Sequence, residues 1–283
     1  MPVREFGLSE PESVRYHERV RPSSVRKPMA SERQYREQIV RYGRMLHDRG
    51  LVAATDGNLS VRLDKNRVLA TPTCMSKGGM RASDLVIVDM EGHLLAGRRR
   101  VSSEIGMHLL IYSLRPDVKG IVHAHPPTAT GFAAAGVALN QPLVCEVVIG
   151  LGSIPLAKYG TPGTPELTDA LAPLVPQYDA ILMSNHGVVA YGSDLSQAYM
   201  KMETVEHFAK IALVTHQLGN QQPLGAAELE KLVVVREKYL GGSQSSASAP
   251  QPDPASANGN HRKKAAPESA PLAEELPRRR FSS

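Results

Sequence analysis

The segment VKGIVHAHPP, residues 118–127, combines an apolar run with two histidines and two prolines. The β-branched residues predict a buried strand, and the prolines end it because they cannot donate to a sheet ladder. Side chains at positions i and i+2 of a strand share a face, so His123 and His125 should point the same way where the strand ends. Such pairs also occur as structural histidines. A metal site therefore requires further ligands from elsewhere, because zinc takes three or four from the protein.

Short strand-like runs alternate with longer helical patterns through the middle of the chain. Helices are predicted at 31–49, 102–116, 126–135, 165–173, 194–217 and 226–239. Strands are predicted at 59–63, 67–72, 84–89 and 118–125, near 143–149, and twice within 179–191, with a turn at 91–93. The strands follow one another too closely for regular βαβ units. We therefore predict an α/β fold, with one three-layer α/β/α domain around a mixed, largely antiparallel central sheet.

The composition of the chain changes at both ends. Residues 1–30 are mixed in charge and interrupted by prolines, and an extended or partly ordered arm is expected there. Residues 241–283 are rich in Ser, Ala, Pro and Gly, a composition that cannot offset its ordering entropy, so a disordered low-complexity tail is expected. A single folded domain is accordingly expected over residues 31–240.

The formal net charge of +5 comes mainly from the two ends of the chain. Residues 1–30 and 241–283 each carry two more basic than acidic residues, which leaves +1 for residues 31–240. The basic runs HRKK and PRRRF have no accompanying aromatic platform or folded basic face, so neither nucleic acid nor membrane is expected as a partner.

Cysteine usage and the start of the chain bear on its location. The two cysteines form neither a disulfide framework nor a CxxC site. No amino-terminal apolar stretch resembles a signal peptide or a membrane span, so a cytoplasmic location is expected.

Further candidate site residues lie in two other segments. His186 occupies a predicted turn between two apolar runs, and it would complete a set of three imidazoles if two strand ends meet. Ser102, Ser103 and Glu104 begin the helix predicted at 102–116, where Ser102 or Ser103 can cap the helix and Glu104 can offset its dipole. The same groups can also form an anion pocket beside a metal, with the carboxylate as general base. His108, one turn later, is expected to pack behind the site rather than to bind.

Five motifs in one order resemble the class II aldolase/adducin family, typified by fuculose-phosphate aldolases. They are GLVAATDGNLSVR at 50–62, TPT at 71–73, SSE at 102–104, HAHP at 123–126 and NHG at 185–187. The resemblance extends over about residues 33–240 and implies the class II aldolase-like α/β/α fold.

The resemblance implies a zinc-dependent lyase that cleaves a ketose 1-phosphate to dihydroxyacetone phosphate and an aldehyde. The implied metal ligands are His123, His125 and His186, with Glu104 as fourth ligand or catalytic acid and base. Mn²⁺ or Co²⁺ would also suit these ligands. The residues expected to hold the substrate phosphate are Gly57, Asn58, Thr73, Ser102 and Ser103.

The resemblance also implies a fourfold-symmetric homotetramer with active sites at the subunit interfaces. In such assemblies a tyrosine near the last helix reaches a neighbouring site as proton donor, and Tyr239 falls near that position. The alternative for Tyr239 is a packing role at the interface.

Some positions depart from the family pattern. Cys74 stands where the aldolases commonly have glycine, so the phosphate loop is expected to differ in shape, with Lys77 close enough to approach the substrate. Near Glu146 the aldolases carry an aromatic residue, which leaves the aldehyde pocket undefined.

Other activities on the same scaffold remain open. These are methylthioribulose-phosphate dehydration, sugar-acid phosphate decarboxylation and pentulose-phosphate 4-epimerisation, although epimerases tend to carry aspartate at the position of Glu104. A noncatalytic assembly module like adducin is disfavoured, because adducin does not retain the zinc ligands that this chain has.

Overall fold

The computed structural model describes residues 31–240. The arm predicted over 1–30 and the tail predicted over 241–283 lie outside the described residues. The α-helices of the described part are α1 Glu32–Asp48, α2 Ile105–Leu114, α3 Pro127–Ala134, α4 Cys145–Gly150, α5 Pro165–Leu171, α6 Leu195–Gln217 and α7 Ala226–Leu240. A short 3₁₀ helix covers Ala82–Asp84.

The strands form one eight-stranded sheet. They are β1 Asn58–Arg62, β2 Val68–Ala70, β3 Val86–Val88, β4 Leu94–Ala96, β5 Gly120–Ala124, β6 Leu156–Ala157, β7 Ala180–Met183 and β8 Gly187–Gly192. Their order across the sheet is β4-β3-β2-β1-β5-β8-β7-β6. Neighbouring strands are antiparallel, except for the parallel pair β6 and β7. The predicted mixed, largely antiparallel sheet is confirmed.

Different helices cover the two faces of the sheet. On β5, Val122 and Ala124 belong to an apolar cluster with side chains of α1, α3 and α6, whereas Ile121 belongs to a cluster with side chains of α2 and α5. Alternate residues of a strand face opposite sides of the sheet. His123 therefore lies on the α2 face, and the predicted three-layer arrangement is confirmed.

Side-chain caps explain where two of the predicted helices begin. At the start of α1, the Ser31 side chain accepts from the Gln34 backbone N–H, and the Gln34 side chain accepts from the Ser31 N–H in return. At the start of α6, the Asp194 carboxylate accepts from the Gln197 backbone N–H. Each cap satisfies backbone donors that the first helical turn leaves free.

The register of the central strands brings distant polar residues to one place. His123 on β5 lies opposite Asn58 of β1 on one side and opposite Val189 of β8 on the other. Because β5 and β8 are antiparallel neighbours, the turn between β7 and β8 lies beside the end of β5. Residues near 58, 123 and 186 consequently meet at one end of the central strands β1, β5 and β8.

The strand predicted near residues 143–149 is wrong, because this segment forms α4. Its valines favour a strand locally, but Val147 and Val148 are buried and α4 packs against α6 and α7. Two short strands, β4 and β6, were not predicted, and they have three and two residues. Among residues 31–240, no helix is long and apolar enough to cross a membrane.

Candidate metal centre and active site

Two of the three imidazoles come from the end of β5. His123 is completely buried, and His125 follows the strand, with its backbone N–H donating to the carbonyl of Leu51. The two ring centroids are 4.9 Å apart, and the two Nε2 atoms are 3.2 Å apart. The strand end therefore presents both rings to the same space.

The third imidazole comes from the turn between β7 and β8. Asn185 has a positive φ of 56°, and the His186 backbone N–H donates to the carbonyl of Met183. The His186 ring centroid lies 4.8 Å from that of His123 and 5.1 Å from that of His125. A Cβ on Gly187 would lie 2.6 Å from both the Ala124 carbonyl oxygen and His125 Cδ2. Glycine at this position lets the turn approach the end of β5.

Glu104 reaches two of the three rings from the start of α2. Its Oε2 lies 3.3 Å from His123 Nε2, and its Oε1 lies 3.1 Å from His186 Nε2. The structure also corrects the predicted serine cap, because Glu104 occupies the cap position itself and makes no side-chain cap bond. Its carboxylate is thereby free to face the histidines.

The donor atoms fit a divalent cation. His123 Nδ1 lies 2.9 Å from the carbonyl oxygen of Val188, which can only accept, so Nδ1 carries the proton and Nε2 offers its lone pair. Tetrahedral zinc with Zn–N bonds of about 2.0–2.1 Å needs about 3.3–3.4 Å between ligand atoms. The distances from His123 Nε2 to His125 Nε2 and to Glu104 Oε2 are 3.2 and 3.3 Å. The three histidines could hold one metal ion.

The protonation states of the histidines and of Glu104 also suit a divalent cation. Burial, together with His123 and His186, lowers the pKa of His125 to about 4, so the ring is neutral at pH 7. Burial alone would raise the pKa of Glu104, but His123 and His186 hold it well below its ordinary value. Glu104 in turn outweighs burial and raises the pKa of His123. A bound cation would displace a proton from such a ligand.

The residues predicted to hold a phosphate lie on three loops and the strand β1, and two of them contact Glu104. Asn58 Nδ2 lies 2.8 Å from Glu104 Oε2 and 3.1 Å from Ser102 Oγ. Ser102 Oγ also accepts from the Glu104 backbone N–H, so its own hydrogen remains available to an anion. Ser103 is exposed beside them. The loop of Thr73 joins the same region, because its backbone N–H donates to Arg100.

Gly57 has no room for a side chain. It has a positive φ of 72°, and a Cβ there would lie 2.7 Å from the His123 carbonyl oxygen. Gly57→Ala should lower the free energy of unfolding by more than about 2 kcal/mol, because backbone strain and overpacking add. Chemical denaturation measures this loss. Gly50→Ala separates the two causes, because Gly50 has a similar φ of 67° with nothing within 4 Å of its Cβ position. Equal losses in both variants would contradict a steric role for Gly57.

Lys77, which was expected to approach the substrate, ties two loops together in the structure. It is 2% exposed, and its Nζ donates to the carbonyls of Thr55 and Met75 at 2.9 and 2.7 Å. These loops precede Asn58 and follow Thr73. Burial lowers the pKa of Lys77 to about 8 from 10.5. Its ammonium is therefore held between the two loops.

The lowered pKa of Lys77 predicts a pH-dependent stability. Between pH 8 and 10.5 the unfolded chain binds the extra proton, so the free energy of unfolding rises with pH in this window. Relative to Lys77→Met, the wild type should gain on the order of 1 kcal/mol between pH 7.5 and about pH 9.5. Denaturant unfolding at both values measures the gain, with the exposed Lys65→Met as matched control. If the wild type gains the same free energy of unfolding relative to Lys77→Met as relative to Lys65→Met, this account is contradicted.

The sequence also singled out Tyr239, Glu146 and Cys74. Tyr239 lies in the last turn of α7, but its side chain lies outside the described part of the chain. Glu146 lies on α4 and accepts from the Cys145 thiol. Cys74 has a positive φ of 54°, the conformation that glycine would adopt readily. Asp56 was missed although it stands within the first motif, and its Oδ2 lies 3.4 Å from His125 Nδ1.

Asp89, Glu91 and His93 form a second grouping of possible metal ligands. They lie in the turn between β3 and β4, where the Asp89 carboxylate accepts from the backbone N–H groups of Glu91 and His93. Glu91 and His93 are exposed. These contacts stabilise the turn and account for the cluster.

Residues 37–213 match the model of a family described as Class II Aldolase and Adducin N-terminal domain. The match covers more than half of the chain. The chain belongs to the class II aldolase and adducin family. This finding confirms the resemblance drawn from the five motifs. Enzymes of this family act on sugar phosphates and generally use a divalent metal.

Known class II aldolase relatives differ in their reactions. The chain is 32% identical over 206 residues to 5-deoxy-D-ribulose 1-phosphate aldolase of Bacillus thuringiensis serovar kurstaki, covering 72% of this chain and 96% of that protein. It is 38% identical over 180 residues to 3-oxo-tetronate 4-phosphate decarboxylase of Haemophilus influenzae, covering 62% and 85%. A solved L-fuculose 1-phosphate aldolase matches with a TM-score of 0.69 at 32% identity, covering 75% and 98%. Family membership therefore leaves the reaction open.

Proposed function

We propose that the chain is a metal-dependent aldolase that reversibly cleaves a ketose 1-phosphate to dihydroxyacetone phosphate and an aldehyde. The observation that carries this proposal is the convergence of His123, His125 and His186, whose ligand atoms all lie within 4.8 Å of one another, with Glu104 beside two of them. The similarity to two enzymes named as sugar 1-phosphate aldolases supports the substrate class.

Three imidazoles hold the ion in this proposal, and Glu104 is a fourth ligand or the acid and base. When bound, the ion would act as a Lewis acid that stabilises negative charge on the substrate oxygens. In cleavage, the C4 hydroxyl gives up its proton and becomes the aldehyde carbonyl as the C3–C4 bond breaks, and the electron pair stays with C3, which then takes a proton. Glu104 would deliver this proton, and remove it in the synthetic direction; its carboxylate lies 3.3 Å from His123 Nε2 and 3.1 Å from His186 Nε2, which supports this role.

The phosphate lies against neutral donors in this proposal rather than in a cluster of lysines. Gly57, Asn58, Thr73, Ser102 and Ser103 are the proposed phosphate residues. The free hydrogen of the Ser102 hydroxyl suits an anion. Lys77 contributes positive charge from behind the loops.

The proposal extends to the metal, the assembly and the location. The ion is Zn²⁺, with Mn²⁺ or Co²⁺ as substitutes, because imidazole suits several divalent metals. The active form is a homotetramer, and Tyr239 of a neighbouring copy protonates the aldehyde oxygen in the synthetic direction. The protein acts in the cytoplasm.

Decarboxylation of a 3-oxo acid 4-phosphate is a second candidate. It is favoured by the 38% identity to the decarboxylase of Haemophilus influenzae. There the bond between the carboxylate and its neighbouring carbon breaks, the electron pair stays on that carbon, and a proton replaces carbon dioxide. The Glu104 carboxylate and the cation would serve both reactions, so only an assay of substrate turnover distinguishes the two activities.

A substrate panel tests the proposal. Full-length protein is given ketose 1-phosphates and 3-oxo acid 4-phosphates, with dihydroxyacetone phosphate followed by a coupled assay and carbon dioxide followed directly. We expect release of dihydroxyacetone phosphate from at least one ketose 1-phosphate and loss of that release with a chelator. Carbon dioxide release from the oxo acids alone would replace the aldolase proposal by decarboxylation. Turnover that survives exhaustive chelation would contradict both.

A further inference from the structure

One row of side chains on α2 matches one row on β1. Glu104, His108 and Tyr112 are four residues apart and share one face of the helix. Asn58 and Ser60 share one face of the strand. One helical step of four residues advances about 6 Å, and two strand residues advance about 6.6 Å, so the two rows stay in register.

The paired rows form a continuous buried hydrogen-bonded network. Asn58 Oδ1 lies 2.5 Å from His108 Nε2. His108 Nδ1 lies 2.6 Å from Ser60 Oγ, which lies 2.9 Å from the Tyr112 hydroxyl. The four residues are at most 4% exposed. The network ends at the candidate site, where Asn58 meets Glu104.

The chemistry of Glu104 sets the direction of every bond in the network. A charged carboxylate only accepts, so the atom of Asn58 that lies 2.8 Å from Glu104 Oε2 must be the nitrogen. The Asn58 oxygen then faces His108 and must accept from it. Burial lowers the pKa of His108 to about 3, so the ring is neutral and has a single N–H.

The remaining bonds follow from that single N–H. Nε2 of His108 carries the hydrogen, and Nδ1 accepts from the Ser60 hydroxyl. The Ser60 oxygen then accepts from the Tyr112 hydroxyl. Each group makes a bond of the correct polarity, and a flipped Asn58 amide would place two acceptors against each other at Glu104.

We propose that His108 is a positioning residue that holds the Asn58 amide with its nitrogen toward Glu104. The same orientation makes Ser102 Oγ an acceptor from Asn58, which leaves the Ser102 hydrogen free for the substrate phosphate. His108 itself touches neither substrate nor metal. The effect of His108 on turnover rests on the proposed function, whereas the position of the hydrogen on its ring does not.

The tautomer of His108 is the first test. Full-length protein loaded with Zn²⁺ is labelled with ¹⁵N-histidine, and solid-state NMR at pH 7 identifies which ring nitrogen carries hydrogen. The His108 signals are assigned by their loss in His108→Gln. We expect hydrogen on Nε2 and an unprotonated Nδ1. Hydrogen on Nδ1 alone, or on both nitrogens, would overturn the proposal.

Variants give the second test. We expect His108→Leu to lower kcat/KM about 10–100-fold, the range found when partners that orient site residues are removed. His108→Gln keeps an N–H for the Asn58 oxygen and should recover part of the loss. In the Asn58→Ala background, His108→Leu should have little further effect, because no amide remains to be oriented.

A control variant and a binding measurement complete the design. Tyr112→Phe keeps the bond between His108 and Asn58 and should cost less than His108→Leu, with thermal unfolding verifying that both variants fold. If the panel finds no substrate, Zn²⁺ affinity replaces turnover as the readout, and a decrease of about 10-fold or more in His108→Leu is expected. Equal losses from His108→Leu with and without Asn58 would overturn the positioning role.

Discussion

Glu104→Gln is expected to lower turnover of the ketose 1-phosphate by about 10²–10⁴-fold, the usual contribution of a positioned acid and base. The change keeps the length of the side chain and removes its charge and its capacity to take a proton. Asn58 can still donate to the remaining oxygen, and the three imidazoles stay in place. Steady-state kinetics with metal saturating measures the loss in kcat.

The control for Glu104→Gln is a change at an exposed carboxylate. Glu91→Gln alters the same chemical group in the turn between β3 and β4, away from the three rings, and turnover should not change. Metal content and thermal unfolding of Glu104→Gln are measured alongside. A folded, metal-loaded Glu104→Gln protein with undiminished turnover would remove Glu104 from the chemistry.

His125→Ala is expected to weaken binding of the divalent ion by more than about 100-fold. A zinc site of four ligands contributes about 10–16 kcal/mol, so one ligand supplies several kcal/mol. His125 is preferred to His123 for this test because it is only partly buried and its loss disturbs the core less. Competition with a chromogenic chelator measures the affinity, and turnover should fall with metal occupancy.

His93→Ala is the matched control for the loss of an imidazole. His93 is exposed and belongs to the grouping with Asp89 and Glu91, so the comparison also tests which cluster takes the ion. We expect wild-type metal affinity in His93→Ala. Loss of the ion in His93→Ala, with full affinity in His125→Ala, would place the metal at Asp89, Glu91 and His93 instead of at the three histidines of the candidate site.

The fold was predictable where local preference and burial agree. The run before His123 has β-branched residues and is a buried strand, and the helix predicted from residue 31 begins at a Ser31 cap. The segment at 143–149 was mispredicted because its valines favour a strand, whereas packing against α6 and α7 makes it α4. A two-residue strand such as β6 is defined by its neighbour β7 and leaves no periodicity to detect.

Two histidines of the candidate site could be anticipated because His123 and His125 are two residues apart where a predicted strand ends. The approach of His186 depends on the pairing of β5 with β8, which the local pattern does not specify. The contacts of Lys77 and His108 could not be predicted from the sequence for a different reason. A lysine that donates to two backbone carbonyls and a histidine between Asn58 and Ser60 are defined only by loop and helix docking.

Titration of the metal-free protein with a divalent ion tests the central claim most directly. The ion is removed with a chelator, which is then dialysed away, and turnover of the best ketose 1-phosphate is followed as Zn²⁺ is added back. We expect negligible turnover without metal and a linear rise that ends at one ion per chain. Full turnover in protein shown to contain no metal would contradict the account, as would one bound ion per chain that restores none.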